Sequence, residues 1–235
     1  MKILFLDTSS RFLSLAVSDD SRVLSQVHRL LDRKVSVKLV TLIERMLKKA
    51  HISLKEIDGF CVSKGPGSFT GLRIGITCVK GLAYVLGKPV VAIPSLDILA
   101  QNVEKIKKIV KDREDTLQVC PVVDARQNKV YACLYQFQDG IIKRKSDYLL
   151  LPIGELLKKI KGRTIFLGDA ISIYREEILK VKNIKPIFAE EKLWYPKTAQ
   201  AVSLAMKRFR QGKFDNVDSL TPLYLYPEEC QVKRG

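Results

Sequence analysis

This 235-residue sequence has only two histidines, and its five cysteines are not spaced as metal ligands are. We therefore expect no metal centre built from these residues. The cysteines lie mostly inside apolar runs and are expected to be reduced, buried thiols. His28 and His51 stand in contexts typical of a surface or a helix end, so a catalytic triad around a serine or cysteine nucleophile is not expected.

The sequence also lacks an apolar run that is both long enough and free enough of charge to cross a bilayer. Residues 74–93 come nearest, but Lys80 and Lys88 interrupt them. The chain opens directly on a strand pattern, so we expect no signal peptide. These absences predict a cytoplasmic protein without a membrane partner. Its 46% hydrophobic and 28% charged residues are ordinary for a globular protein.

Acidic residues are scarce relative to basic ones: there are 41 lysines and arginines but 25 aspartates and glutamates, a formal net charge of +16. Such a charge attracts RNA or an acidic partner, but it is equally typical of solvated, lysine-rich surfaces. Because the lysines are scattered apart from a dense region at 104–115, both interpretations stay open. The candidates for RNA contact are Lys105, Lys107, Lys108, Lys111, Arg113, Lys233 and Arg234.

The most informative stretch that is present runs from Lys64 to Gly75 and reads KGPGSFTGLRIG. It follows a strand-like segment and opens a long apolar helix, with Ser68 or Thr70 as candidate helix caps. Glycines at every fourth position from Gly67 would leave a groove along one helix face, which another backbone could approach closely. A glycine-rich turn before a helix can instead hold an anion, so close packing and anion binding are the two interpretations.

Strand and helix patterns alternate along the chain and repeat after about half its length. Residues 111–116 have no apolar member and are predicted to separate two domains, 1–110 and 117–235. A three-strand meander is predicted in each domain, which indicates a duplicated α/β fold. The predicted strands are 2–7, 12–18, 22–28, 59–63, 89–93, 117–123, 129–137, 141–151 and 164–167, and the predicted helices are 35–50, 70–86, one from about Ser95, 152–161, 172–181 and 197–211.

The run GPGSFTGLRIG, followed by Lys-Gly-Leu-Ala, resembles the signature of the TsaB (YeaZ) family. Supporting resemblances are the opening Ile3–Ser9, Pro94-Ser95-Leu96, Asp124-Ala125-Arg126 and Thr221–Leu225. The resemblance implies the duplicated actin and sugar-kinase ATPase superfold (ASKHA), with a mixed sheet flanked by helices in each half. The motif residues that it singles out are Gly65, Pro66, Gly67, Ser68, Phe69, Thr70 and Arg73.

The function implied by this resemblance is that of a non-catalytic subunit. It would bind a TsaD-type enzyme and support threonylcarbamoyl transfer to the adenosine beside the anticodon of certain tRNAs. The resemblance further implies no cofactor of its own, with ATP or ADP at a subunit interface left open. A TsaE-type ATPase in the complex, tRNA contact through the complex and a homodimer are the other partners it suggests.

Enzymes of that superfold use glycine-containing turns after the first strand of each half to hold phosphates. Here Asp7 is followed by Thr-Ser-Ser and Asp124 by Ala-Arg-Gln, while Gly168 alone marks the adenosine turn. A self-sufficient kinase or nucleotide hydrolase, the alternative function, is therefore not favoured. The two aspartates either cap their turns or pair around a divalent cation. A stand-alone RNA-binding protein lacks a supporting motif.

Two helices carry more apolar surface than packing on a sheet requires, 35–50 and 70–86. Either neighbouring helices of the chain cover this surface or a partner does. The resemblance favours a partner, because TsaB proteins use these helices to join TsaD. Residues 34–50 hold no histidine pair like that of TsaD-type enzymes, and Lys34-Val35-Ser36 replaces a histidine kept by many TsaB relatives. The predicted interface residues are Leu39, Val40, Ile43, Gly71, Ile74, Gly75, Thr77 and Cys78.

Overall fold

The computed structural model describes residues 1–20, 22–31, 35–106, 117–138 and 140–226, without the side chains of 35–36 and 104–106. The predicted linker, Lys34 of the segment Lys34-Val35-Ser36 and nearly all the predicted RNA-contact residues therefore lie outside the described residues. In chain order, the strands and helices are β1 (Lys2–Asp7), β2 (Phe12–Asp19), β3 (Arg22–Leu30), α1 (Val35–Lys49), β4 (Gly59–Gly65), α2 (Phe69–Leu86), β5 (Val90–Pro94), α3 (Ser95–Ala100), β6 (Leu117–Asp124), β7 (Lys129–Ala132), β8 (Tyr135–Gln138), β9 (Ile141–Arg144), β10 (Leu149–Pro152), α4 (Ile153–Lys158), β11 (Gly162–Leu167), α5 (Ile171–Leu179), β12 (Ile184–Phe188) and α6 (Thr198–Arg210).

The chain forms two compact units, and neither is a continuous segment. Unit 1 is Met1–Ile98 with Pro196–Leu223, and unit 2 is Leu99–Tyr195 with Tyr224–Gly235. This corrects the predicted division at 110 and 117, because α6 returns to unit 1. Its apolar face, which includes Ala201, Val202 and Ala205, is buried in one cluster with Phe5 of β1 and other sheet residues. The amphipathic sequence of α6 predicts a buried face but not the sheet that buries it.

Unit 1 is a five-stranded mixed sheet with helices on both faces. Its strand order is β3-β2-β1-β4-β5, in which β1 to β3 form an antiparallel meander and β1, β4 and β5 are parallel. One face packs against α1 and α2 through alternate strand residues such as Leu4 and Leu6. The intervening residues Ile3 and Phe5 point to the opposite face, which α6 covers.

Unit 2 repeats this order as β10-β7-β6-β11-β12, with β6, β11 and β12 parallel. Two further strands of this seven-stranded sheet lie off that path, since β8 pairs with β6 and β9 pairs with β8. With these two set aside, both sheets have the strand order third, second, first, fourth, fifth, which confirms the duplicated α/β fold. The predicted strands 129–137 and 141–151 are each broken in two, because β6 pairs with β7 at one end and β8 at the other. Strand β12 was missed, since Pro186 interrupts its pattern; proline is tolerated there because β12 is an edge strand.

The four described cysteines are free thiols, as predicted, and three of them are buried. Burial raises the pKa of the Cys61 and Cys120 thiols, which makes both poor nucleophiles. Cys230 lies outside the described residues.

Candidate functional site

Three glycines at and just before the start of α2 are the place where the turn after β1 packs against the helix. A Cβ at Gly67 would lie under 3.0 Å from the Ser9 carbonyl oxygen, and one at Gly71 equally close to the carbonyl oxygen of Thr8. At Gly75 the added atom would meet the Thr8 hydroxyl, which itself donates to the Gly71 carbonyl oxygen at 2.6 Å. The predicted close approach of a backbone is thus confirmed.

The amino end of α2 is closed by groups of the protein itself. Of the two predicted cap residues, Ser68 is the N-cap of α2. The Ser68 hydroxyl accepts a hydrogen bond from the Gly71 amide at 3.2 Å. The Ser68 amide in turn donates to the Ser9 carbonyl oxygen at 2.8 Å. These bonds use amides that an anion would need. The geometry of the motif therefore favours close packing over anion binding.

Asp7 ends β1 and caps its own turn. Its carboxylate accepts the Ser9 amide at 2.7 Å, and the side chain is almost completely buried. Burial raises the pKa of this carboxyl, and the hydrogen bonds from Ser9 oppose the rise only in part. The Ser9 amide, which could have contacted a phosphate in this turn, already donates to Asp7.

Asp124 plays the same part in unit 2. It accepts the Arg126 amide at 2.9 Å, while the Ala125 amide donates to the Lys129 carbonyl oxygen at 3.0 Å. Gly168, predicted as the adenosine turn, instead gives room to the β6 backbone, because a Cβ there would overlap the Val122 carbonyl oxygen. The turns of both units therefore do not fit a phosphate cradle.

Within the described residues, no group of three or more histidine, cysteine, aspartate and glutamate side chains converges as metal ligands would. The capping bonds of Asp7 and Asp124 are those expected of aspartates that end strands and stabilise turns.

A serine–histidine contact occurs on the sheet of unit 1, although none was expected. The Ser14 hydroxyl lies 2.8 Å from Nδ1 of His28, and the imidazole stacks on Phe12. Burial lowers the pKa of His28, and the charge of Lys197 lowers it further. A triad would place a carboxylate beside the histidine, whereas here the neighbouring charge is positive. The pair lacks that electrostatic support for catalysis.

An apolar groove of about 700 Å³ runs between α1 and α2 on the outside of unit 1. It is lined by Leu39, Val40, Leu54, Arg73, Ile74, Thr77, Cys78, Gly81, Leu82, Val85 and Leu86. Val85 is 81% exposed, and Val40 is 53% exposed. The chain's own neighbouring helices therefore leave apolar surface on these two helices uncovered.

The structure divides the eight predicted interface residues into two groups. Val40, Ile74, Thr77 and Cys78 line the groove and are exposed or half-exposed. Leu39 reaches the floor of the groove but is only 2% exposed and, like Ile43, belongs to the buried core. Gly71 and Gly75 face the turn after β1. These four are corrections: the wide apolar stripe of each helix is shared between the sheet and the groove, and periodicity does not show where the division falls.

Sequence reasoning missed Val85, Leu82 and Leu86 as groove residues. A signal was available, since Ile74, Cys78, Leu82 and Val85 recur at helical spacing along one side of α2.

The remaining motif residues stabilise the start of α2. The Arg73 guanidinium lies 3.8 Å from the centre of the Phe69 ring, while Pro66 is buried and Thr70 exposed. The segment Thr221–Leu225, one of the supporting resemblances, contacts the chain just before α2. There the Leu223 amide donates to the Lys64 carbonyl oxygen at 2.6 Å. Segments that are 159 residues apart in the chain thus meet at the motif.

Among the described helices, α2 alone is long and apolar enough, by length and composition, to cross a membrane. This differs from the expectation that no apolar run of the sequence is long enough and free enough of charge to cross a bilayer. One such helix is weak evidence for a span, because core helices of soluble proteins pass the same test. Its residues Leu72, Ile76 and Val79 are buried in unit 1.

Comparison with known proteins gives matches to one family model and to many curated proteins. The family model described as "TsaD: tRNA N6-adenosine threonylcarbamoyltransferase" matches residues 25–232. TsaB of Bacillus subtilis (strain 168) is 28% identical over 236 residues, 99% of this chain and 97% of that protein. TsaB of Buchnera aphidicola subsp. Schizaphis graminum is 32% identical over 83% of this chain and 88% of its own length.

The chain belongs to the TsaB (YeaZ) family. A solved structure of this family, YeaZ from Pseudomonas aeruginosa, superposes with a TM-score of 0.78 at 27% identity and covers 95% of this chain and 99% of that one. By contrast, the tRNA N6-adenosine threonylcarbamoyltransferase of Bartonella bacilliformis matches only 59 residues, 25% of this chain. Near-complete coverage by TsaB proteins thus confirms the resemblance and the fold that the motifs predicted.

Proposed function

We propose that this member of the TsaB family is an accessory subunit in the synthesis of threonylcarbamoyladenosine on tRNA. It binds a TsaD-type protein, whose transferase activity it supports, and it has no catalytic activity of its own. The observation that carries the proposal is the open apolar groove between α1 and α2. A TsaD-type protein covers the groove by packing helices against it.

The groove suits a helical partner because its walls are themselves helices and its lining is mostly aliphatic. Residues near its rim, such as Val40 and Val85, would lose their exposed apolar surface in the complex. Each Å² of apolar area removed from water contributes about 25 cal/mol. A second copy of this chain is the alternative occupant in the absence of the partner.

Gel filtration of the chain mixed with the TsaD-type protein of the same organism tests this function. Co-elution as a heteromer, and tRNA modification that requires both proteins, are the expected results. Separate elution at micromolar concentrations would contradict the proposal. The chain run alone shows whether a homodimer forms and whether the partner displaces it.

The absence of catalysis leads to a separate prediction about nucleotide binding. The isolated chain is expected neither to bind Mg-ATP in the micromolar range nor to hydrolyse it, because the amides of Ser9, Ala125 and Arg126 are already bonded within their own turns. Isothermal titration calorimetry measures this directly. Micromolar binding that is lost in Asp7→Ala would instead favour a nucleotide-dependent enzyme.

ATP or ADP therefore belongs, in this proposal, to an interface of the assembled complex or to a TsaE-type ATPase within it. Selection of particular tRNAs also belongs to the complex. The isolated chain is proposed to bind tRNA weakly and without preference, since scattered lysines attract phosphates but do not read bases.

A further inference from the structure

Lysines that are scattered in the sequence come together at one end of the unit 2 sheet. Residues 156–163 carry four cations and residues 178–189 carry three, while neither segment has an aspartate or glutamate. We call these two segments the basic loop pair. Its cations are Lys158, Lys159, Lys161, Arg163, Lys180, Lys182 and Lys185.

The fold places the two segments side by side. In each, a helix ends and a strand begins: α4 leads into β11, and α5 leads into β12. Because β11 and β12 are parallel neighbours, Arg163 pairs with Lys185 in the strand register. The Gly162 amide donates to the Asn183 carbonyl oxygen at 2.9 Å and joins the loops directly. Adjacent strands are about 4.8 Å apart, so the two sets of cations form one surface.

This surface is exposed and held in a fixed position. All six lysines are exposed, and none makes an ion pair with another described residue. Ile160 and Ile184, one from each segment, are buried in the core of unit 2 and anchor the loops. The six lysines, held together in this way, repel one another unless an anion binds.

Helix stability accounts for only part of this arrangement. Lys158, Lys159 and Lys180 lie at helix carboxyl ends, where cations interact favourably with the helix dipole. Lys161, Lys182 and Lys185 lie beyond those ends, in the loops and at the start of β12. The helix dipole falls off within a turn, so it gives no reason for these three lysines.

We propose that the basic loop pair binds the phosphate backbone of RNA. Lysine is depleted at protein–protein interface cores, whereas lysine and arginine neutralise and contact nucleic-acid phosphates. The choice of tRNA as the particular RNA rests on the proposed function. The loop pair gives this subunit its own contact with the substrate tRNA; it belongs to unit 2, whereas the α1–α2 groove belongs to unit 1.

The test compares two triple variants of the full-length chain that lose the same charge. Lys161→Gln/Lys182→Gln/Lys185→Gln removes cations of the loop pair, and Lys55→Gln/Lys207→Gln/Lys213→Gln removes exposed cations of unit 1. Fluorescence anisotropy with a labelled tRNA transcript gives the Kd across a salt series. Each cation on a phosphate contributes about 0.9 to the slope of log K against log salt, so the loop variant should lower the slope by about 2 to 3.

At physiological salt the loop variant is expected to raise the Kd for tRNA about tenfold or more, and the unit 1 variant less than twofold. Equal weakening in both variants would overturn the proposal in favour of diffuse attraction by net charge. It would also be overturned if the loop variant bound tRNA normally but lost binding to phosphatidylserine vesicles or polyglutamate. Gel filtration of both variants with the TsaD-type protein separates this result from the proposed function: failure of the wild type to co-elute would reject that function but leave the RNA comparison valid.

Discussion

Gly71→Ala is expected to destabilise unit 1 by about 3 kcal/mol, whereas Gly81→Ala in the same helix is expected to stabilise it by about 0.5–1 kcal/mol. A Cβ at Gly71 would overlap the carbonyl oxygen of Thr8, a backbone atom of the turn that follows the central strand β1. Nothing lies within 4 Å of the corresponding position at Gly81. There the gain of alanine helix propensity is the main effect.

Denaturant unfolding followed by circular dichroism measures both changes. Gly75→Ala gives an intermediate case, because its added Cβ would meet the Thr8 hydroxyl, a side-chain atom that can rotate away. A loss of about 1–2 kcal/mol is expected there. If Gly71→Ala failed to fold, the smaller loss in Gly75→Ala would still show the effect of the packed turn. Equal stability of the Gly71 and Gly81 variants would contradict the close packing of turn and helix.

Val40→Glu combined with Val85→Glu is expected to weaken the complex with the TsaD-type protein about a thousandfold. The two side chains lie on opposite walls of the groove, one on α1 and one on α2. Each substitution removes apolar area from the interface and would place an unpaired carboxylate there, at a cost of about 2 kcal/mol. The fold should be unaffected, because both positions are exposed in the free chain.

Gel filtration and calorimetric titration with the partner measure this loss, and circular dichroism confirms that the variant is folded. Ile173→Glu is the matched control, since Ile173 is an exposed aliphatic residue on α5 of unit 2. The control should bind the partner like the wild type. Normal binding by the Val40/Val85 variant would place the partner interface on another surface.

The sequence alone determined the local features that depend on neighbours along the chain. The glycine spacing predicted a groove for another backbone, because Gly71 and Gly75 fall on one face of a helix that repeats almost every fourth residue. Gly67 contacts the same turn from a position just before the helix. The aspartates at the ends of β1 and β6 predicted capped turns, because an aspartate accepts amides two residues on. The repeated meander predicted the duplicated fold that the strand orders confirm.

Only the tertiary structure decided which surfaces are buried and which distant residues meet. Leu39 and Ile43 share the apolar pattern of α1 with Val40, yet the sheet buries the first two and leaves Val40 in the groove. Helix α6, which begins at Thr198, covers a sheet whose first strand begins at Lys2. The two halves of the basic loop pair meet only because β11 and β12 pair. Periodicity along one element shows that a face is apolar or charged, but the element packed against it is chosen by the whole chain.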